Sequence, residues 1–180
     1  MCSAETNFIR DSAERGETEA AHLVQILFYS VWAPQISQDE GATLRSAIDP
    51  EALSEFARST TFGLNIVDMK LIDIEGDVLW SSSPEPAENF SNDESFRISI
   101  SRRLSTSEVR SGYTIRTPEG GQERIDAVRV FHPIRDVPLD SGSEGNIIGV
   151  LHIDKDVTEE LNSTLNDTMT VAVLGSIGSG

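Results

Sequence analysis

The sequence contains a single cysteine, Cys2, among its 180 residues. One cysteine excludes an internal disulfide bond and a CxxC metal site. Because no apolar segment precedes Cys2, we do not expect it to be a lipid-modified cysteine. Scarcity of cysteine suits the cytoplasm and the periplasm equally, so it does not assign the compartment.

Basic residues and long apolar runs are also scarce. No stretch reaches the roughly 18 consecutive apolar residues of a membrane helix. Thirty acidic residues against fourteen basic ones give a net charge of −16. Nucleic acids and anionic membrane surfaces are bound through Lys and Arg, so neither is an expected partner. A simpler explanation for the acidity, solubility in a salty medium, accounts for it equally well.

The motifs of common enzymes are missing as well. The three histidines, His22, His132 and His152, lack the HExxH spacing of a zinc site, and the sequence has no GxSxG nucleophile motif or phosphate-binding glycine loop. Asp154 and Asp156 lack the surrounding loop of an EF-hand. The sequence therefore predicts a protein that is not an enzyme, with no metal site and no cofactor.

A long amphipathic helix is predicted at the N-terminus, within residues 1–37. Its second half carries an apolar stripe at spacings of three and four residues, and Pro34 should end it. The stripe consists of Ala20, Val24, Leu27, Phe28 and Val31. The charged first half has few apolar residues, so we expect it to project from the domain or to pair with a second chain.

The rest of the chain alternates between helical and strand patterns. Asp49 is a predicted N-cap with Pro50 at the first helical position. Turns at residues 75–77 and 118–121 separate strand patterns of period two. The predicted order is helix, two strands, a helical crossover, three strands and a final helix, at 49–63, 66–74, 78–81, 92–105, 113–116, 124–134, 147–153 and 157–180.

This order predicts an α+β fold with one antiparallel sheet of about five strands. The length suits a single ordinary domain. We divide the chain into a long N-terminal helix (1–37), a central α+β domain (38–158) and a C-terminal helix (159–180).

Two segments carry a resemblance to a known family. Residues 71–84, Leu-Ile-Asp-Ile-Glu-Gly-Asp-Val-Leu-Trp-Ser-Ser-Ser-Pro, resemble the first hairpin of PDC-type (Cache-like) sensor domains. Residues 130–134, Val-Phe-His-Pro-Ile, followed by a loop and by residues 148–158, Ile-Gly-Val-Leu-His-Ile-Asp-Lys-Asp-Val-Thr, resemble their closing strands. The sequence departs from the family pattern at Ser83 and in the Ser/Arg-rich stretch 97–111, which leaves the ligand open.

The resemblance implies a PAS-like sensor held between two membrane helices on the extracytoplasmic (periplasmic) side of the inner membrane. It implies an output domain outside this chain: a diguanylate cyclase, histidine kinase, nucleotide cyclase or chemoreceptor module. Residues 168–180, which are apolar or small and uncharged, would begin the second membrane helix.

Arginines in the middle of the acidic chain suggest the ligand. Guanidinium groups bind carboxylates through paired donors, so Arg97, Arg116 and Arg129 predict a small organic anion as ligand. Arg129 is unusual because it shares a strand face with Ala127 and Phe131, and an unpaired buried charge is costly. The alternative is that these arginines neutralise nearby acidic side chains on the surface.

His152 is likewise polar on an otherwise apolar strand face, although a histidine there is more often a satisfied core residue. Tyr113 could line the pocket or only pack. The predicted ligand-binding set is Arg97, Tyr113, Arg116, Arg129, Phe131 and His152. The alternative function is a ligand-free structural module; in either case we expect a homodimer through the N-terminal helix.

Overall fold

The computed structural model describes residues 3–32, 44–61, 63–83, 88–116, 121–137 and 142–163. Three α-helices in this part of the chain are α1 (Ser3–Leu27), α2 (Pro50–Thr60) and α3 (Glu94–Arg102). The five strands are β1 (Ile66–Ile72), β2 (Val78–Ser81), β3 (Thr106–Arg116), β4 (Gln122–Arg135) and β5 (Ile147–Asp156). The predicted α+β fold with one antiparallel sheet is confirmed.

The strands lie in the order β2-β1-β5-β4-β3, and each pairs antiparallel with its neighbours. The last strand along the chain, β5, therefore occupies the centre of the sheet. Central strands are covered on both faces, so β5 is buried from Gly149 to Lys155. Every ionisable side chain on β5 must then find its partners inside the protein.

The first face of the sheet packs against α1, which crosses β3, β4 and β5. Its core contains Val24 and Leu27 of the predicted stripe and the neighbouring Leu23, packed with Val130 and Ile153 of the sheet. A π-helical turn, Phe28–Trp32, follows α1, and residues 33–37 of the predicted helix lie outside the described residues.

The first half of α1 does not project from the domain, so that prediction was wrong. Ser12, Gly16 and Ala20, spaced four residues apart, are buried against the sheet. A Cβ atom at Gly16 would lie 3.0 Å from Val130 Cγ2 and 3.3 Å from Val128 Cγ1. The helix docks through small residues that let its backbone approach the strands, and the predicted stripe included only one of them, Ala20.

The second face of the sheet is covered by α3 and by the segment that precedes it. Its core is a smaller cluster formed by Ile72, Phe90, Phe96, Phe131 and Val150. Asp93 caps α3 by accepting a hydrogen bond from the backbone nitrogen of Phe96.

Two boundaries differ from the prediction around α3. The helix ends at Arg102 because Arg103 adopts a left-handed conformation (φ 59°), and Leu104, expected on its apolar face, is 63% exposed. Strand β3 begins at Thr106 and not at Tyr113, because backbone pairing with β4 starts at Thr106 opposite Phe131. Tertiary pairing thus overrides the weak local pattern of residues 106–112.

At the C-terminus, residues 158–163 are helical, and the proposed start of a membrane helix at 168–180 lies outside the described residues. None of the helices in the described ranges is both long enough and apolar enough to span a membrane.

Candidate ligand-binding site

Five ionisable side chains meet on the second face of the sheet and form what we call the charged cluster: Asp68, Lys70, Arg129, His152 and Asp154. Strand register brings them together, because Lys70 lies opposite His152 and Asp154 lies opposite both Asp68 and Arg129. Residues opposite each other in antiparallel strands share one face. All five side chains are buried.

Arg129 is surrounded by carboxylates. Its Nε lies 3.3 Å from Asp154 Oδ1, and its Nη1 lies 3.6 Å from Asp93 Oδ2 and 3.8 Å from Glu108 Oε1. Burial alone would lower the pKa of Arg129, but Asp154 and the other neighbouring groups, including Tyr113, outweigh that effect and raise it. Arg129 therefore stays charged, with its donors already directed at acidic partners.

Lys70 has a similar environment on β1. Its Nζ pairs closely with Asp68 Oδ2 and lies 3.8 Å from Glu88 Oε2. Burial would lower the pKa of Lys70, but the attraction of Asp68 more than compensates and the pKa is raised. The second oxygen of Asp68 accepts a hydrogen bond from Ser82 Oγ at 3.2 Å.

His152 and Asp154 occupy the centre of the cluster. The His152 ring is fully buried between two aromatic rings, with centroids 4.8 Å from Phe131 and 5.4 Å from Phe90. Its Nε2 lies 3.4 Å from Asp154 Oδ1 without making a hydrogen bond. Burial would raise the pKa of Asp154, but His152, Arg129 and Lys70 lower it to about 2.

The β1–β2 turn positions Phe90, the aromatic residue that covers the charged cluster. Asp73 Oδ1 accepts hydrogen bonds from the backbone nitrogens of Glu75 and Asp77, and Gly76 takes φ 92°, a conformation that favours glycine. The carbonyl of Gly76 then accepts a hydrogen bond from the backbone nitrogen of Phe90 at 2.8 Å. The turn at residues 73–77, which belongs to the family-like segment 71–84, therefore positions Phe90 over the charged cluster.

Sequence reasoning named part of this site. The structure places Arg129, Phe131 and His152 side by side, and Tyr113 lies close enough to Arg129 to affect its pKa. Arg97 is exposed on α3 and forms none of the cluster's ion pairs within the described part of the chain. For Arg116 the structure gives only its backbone pairing with Gln122. A role for any of these residues in ligand binding stays a prediction.

Several members of the site were missed: Asp68, Lys70 and Asp154 in the cluster, and the surrounding Glu88, Phe90, Asp93 and Glu108. The signal for the first three was present. Asp68 and Lys70 are two residues apart in an apolar strand, as are His152 and Asp154, so each pair must share one face. Two strands with such pairs suggest a shared polar site, although only the register shows that the pairs face each other.

Comparison with solved structures supports the fold. The extracellular domain of a protein assigned as a histidine kinase, rpHK1S-Z16, superposes with a TM-score of 0.51 at 17% identity, over 91% of this chain and 58% of that one. The sensor domain of the Vibrio cholerae histidine kinase DctB gives 0.47 at 15% identity, over 89% and 56%. The ligand-binding domain of the Campylobacter jejuni chemoreceptor Tlp3, in complex with L-valine, gives 0.42 at 13%, over 89% and 66%.

The chain thus spans between 56% and 66% of the length of these three structures. No protein-family model and no curated protein matches the sequence.

The long N-terminal helix and the open five-stranded antiparallel sheet form a PAS-like α+β fold, which the extracellular rpHK1S-Z16 domain shares. This shared fold agrees with the resemblance to PDC/Cache-type sensors that residues 71–84, 130–134 and 148–158 carry.

Proposed function

We propose that this chain is the extracytoplasmic ligand-sensing domain of a membrane-bound signalling protein, and that its ligand contacts the charged cluster. The main support for this proposal is that three buried polar atoms of the cluster lack a hydrogen-bond partner. These atoms are Nδ1 and Nε2 of His152 and Oδ2 of Asp154. Buried polar atoms in that state cost roughly 1–3 kcal/mol each. A ligand that supplies their partners would recover this energy.

The charge of the surroundings favours a ligand with a positively charged group. Five carboxylates, those of Asp68, Asp154, Glu88, Asp93 and Glu108, face two buried cations, Lys70 and Arg129, and Glu108 also pairs with the exposed Arg110 at 2.8 Å. The anionic ligand predicted from the sequence stays a prediction, but it would need free arginine donors. Arg129 directs its donors at three carboxylates, so the cluster offers an incoming anion little and an incoming cation more.

The position of the cluster suggests how ligand binding would be transmitted to α1. Phe90 covers it from the segment before α3, and α1 packs on the opposite face of β4 and β5. A ligand that shifts the strands or the segment 88–93 would change the position of α1 on the sheet. In the full-length protein this movement would pass through the membrane to an output domain such as a histidine kinase, diguanylate cyclase, nucleotide cyclase or chemoreceptor module.

A thermal-shift screen of amines, amino acids, organic acids and sugars in the presence of EDTA tests the proposal. A specific ligand at a hundredfold excess over its Kd stabilises the folded state by about 2.7 kcal/mol. We expect cationic or zwitterionic compounds to raise the Tm, and Asp154→Asn to abolish the shift. Glu123→Gln, an exposed position on β4, serves as the matched control and should keep it.

Three outcomes would count against the proposal or its parts. A Tm shift produced only by anions would support the anionic ligand predicted from the sequence and refute the proposal of a positively charged ligand. A shift that survives in Asp154→Asn would place the ligand elsewhere. If no compound of any charge raises the Tm, the alternative of a ligand-free structural module is favoured.

A further inference from the structure

Three buried side chains in the charged cluster have the donor atoms of a metal site. One ligand atom each from Asp68, His152 and Asp154 lies within 4.8 Å of the others. Zinc bonds of about 2.0–2.2 Å put neighbouring ligand atoms about 3.4 Å apart in tetrahedral geometry, so closure needs movements of only about an ångström. The three residues come from two adjacent strands, which hold them on one rigid surface.

An independent observation indicates that these atoms lack a partner. His152 is 0% exposed and Asp154 is 1% exposed, yet His152 Nδ1, His152 Nε2 and Asp154 Oδ2 have no hydrogen-bond partner. His152 Nε2 lies 3.4 Å from Asp154 Oδ1, and a neutral imidazole nitrogen and a carboxylate oxygen can both bind a cation. The fully buried His152 contributes a nitrogen to the same group of ligand atoms.

The charge balance supports a divalent cation. The five carboxylates in and around the cluster exceed the three cationic side chains that pair with them, Lys70, Arg129 and Arg110, by two negative charges. A divalent ion would neutralise this excess. The space between the side chains is closed to solvent, since Lys70, His152 and Asp154 are each at most 2% exposed.

We infer that the charged cluster binds a divalent first-row transition-metal cation, of which Zn²⁺ is the representative, through Asp68, His152 and Asp154. Mixed imidazole and carboxylate ligands suit zinc and its neighbours, whereas Mg²⁺ and Ca²⁺ prefer oxygen ligands alone. The inference rests on the proposed sensing function, because it assigns a ligand to the same site. The histidine spacing in the sequence gave no such indication, since the ligands come from separate strands.

Lys70 would couple the metal to the rest of the domain. Its ammonium group pairs with Asp68 and lies 3.8 Å from Glu88 Oε2. A cation on Asp68 would repel this ammonium group, and Glu88 is the acceptor within reach. Glu88 lies two residues before Phe90, which covers the cluster. If the ammonium group of Lys70 moved from Asp68 to Glu88, it would therefore hold Phe90 more firmly over the cluster.

Binding of Zn²⁺ alone to the EDTA-treated, dialysed 180-residue chain tests the inference by calorimetry. We expect one site per chain, at least tenfold weaker binding in His152→Phe, and unchanged binding in His22→Ala, which removes an exposed histidine. Lys70→Met should bind Zn²⁺ more tightly, because the competing ammonium group is gone. Calcium ions should not compete.

A second measurement keeps the inference testable if His152→Phe fails to fold. X-ray absorption of the zinc-loaded wild-type chain should show one nitrogen and two or more oxygen ligands. Equal affinity in wild type and His152→Phe, loss of binding in His22→Ala, weaker binding in Lys70→Met, or an all-oxygen shell would each overturn it.

The two proposals fail in different ways. If organic compounds raise the Tm in EDTA and Zn²⁺ does not bind, the sensing function stands and the metal inference falls. If Zn²⁺ binds with the expected variant pattern and no organic compound acts, the metal is itself the ligand. If Asp154→Asn alters neither the response to organic compounds nor the binding of Zn²⁺, the charged cluster is not the ligand-binding site.

Discussion

His132 and His152 are two buried histidines on adjacent strands, and they face opposite sides of the sheet. His152 belongs to the charged cluster, whereas His132 lies opposite Leu151 and its Nδ1 is 2.6 Å from Ser105 Oγ. Burial lowers the pKa of His132 to about 4, and the positive charge of Arg135 adds to this effect. His132 is thus neutral in the folded protein, with its Nε2 unpartnered.

Folding should therefore be weakened by mild acid through His132. Its pKa is about 6.5 in the unfolded chain and about 4 in the folded one, so the unfolded state binds a proton first as the pH falls. The His132 contribution is complete above pH 6.5 and is lost between pH 6.5 and 4. A difference of this size corresponds to about 3 kcal/mol, which urea denaturation at a series of pH values would measure.

His132→Asn should remove the pH dependence in that window, because Asn places a polar atom near the position of Nδ1 and does not titrate there. His22→Asn, at an exposed site, should leave it intact. A wild-type stability that stays flat from pH 6.5 to 4 would contradict the assignment.

Asp154 affects stability at lower pH than His132 does. Its contribution to the free energy of unfolding is present above pH 3.8 and is lost as the pH falls towards 2.

At the scale of the element, α1 shows how small residues dock a helix. Its polar side chains also reach the domain: Lys155 Nζ donates to Glu19 Oε1 at 2.7 Å, and Ser107 Oγ donates to Glu17. These contacts depend on the close approach that Gly16 permits over Val128 and Val130. The helix is therefore fixed on the sheet along much of its length.

Gly16→Leu should destabilise the domain by about 1–3 kcal/mol, because a large side chain has no space between α1 and β4. Gly16→Ala should have a smaller effect, since better helix propensity offsets the tight contact. Thr18→Leu, an exposed position on the same helix, serves as control and should change stability little. Guanidinium denaturation would measure all three, and equal stability of Gly16→Leu and wild type would refute the docking role.

At the scale of the whole molecule, the apolar stripe of α1 is already used inside the domain. The outward side of its first half carries Arg10, Asp11, Glu14, Arg15 and Thr18, all exposed. Homodimerisation through α1, which the sequence analysis predicts, would have to use this polar surface. Such an interface is weak in water, and the net charge of −16 adds repulsion between copies.

We therefore expect a dimer that forms only at high protein concentration and is strengthened by salt. Analytical ultracentrifugation at several protein and salt concentrations would measure the association. Glu14→Lys should change the dimer constant if α1 is the interface, while Glu123→Gln on β4 should not. A monomer at every concentration and salt level would leave α1 as a packing element alone.

The sequence by itself determined the class of fold and the residues at which its elements turn. Asp49 with Pro50, and Glu75-Gly76-Asp77, act through local backbone chemistry, which neighbouring residues in the chain encode. Periodicity located strand β4 and the second half of α1 for the same reason. Arg129 and His152 were recognisable because a polar residue on an apolar strand face conflicts with the cost of burial.

Only the tertiary structure decided what those polar residues meet. Asp68 and Asp154 are 86 positions apart, and antiparallel pairing of β1 with β5 places them opposite each other. Such pairing depends on register, and a shift of one residue would send every side chain to the other face. Likewise, the first half of α1 is buried only because the sheet offers a surface on which Gly16 fits. Long-range register and close backbone approach are properties of the packed molecule, and no local pattern carries them.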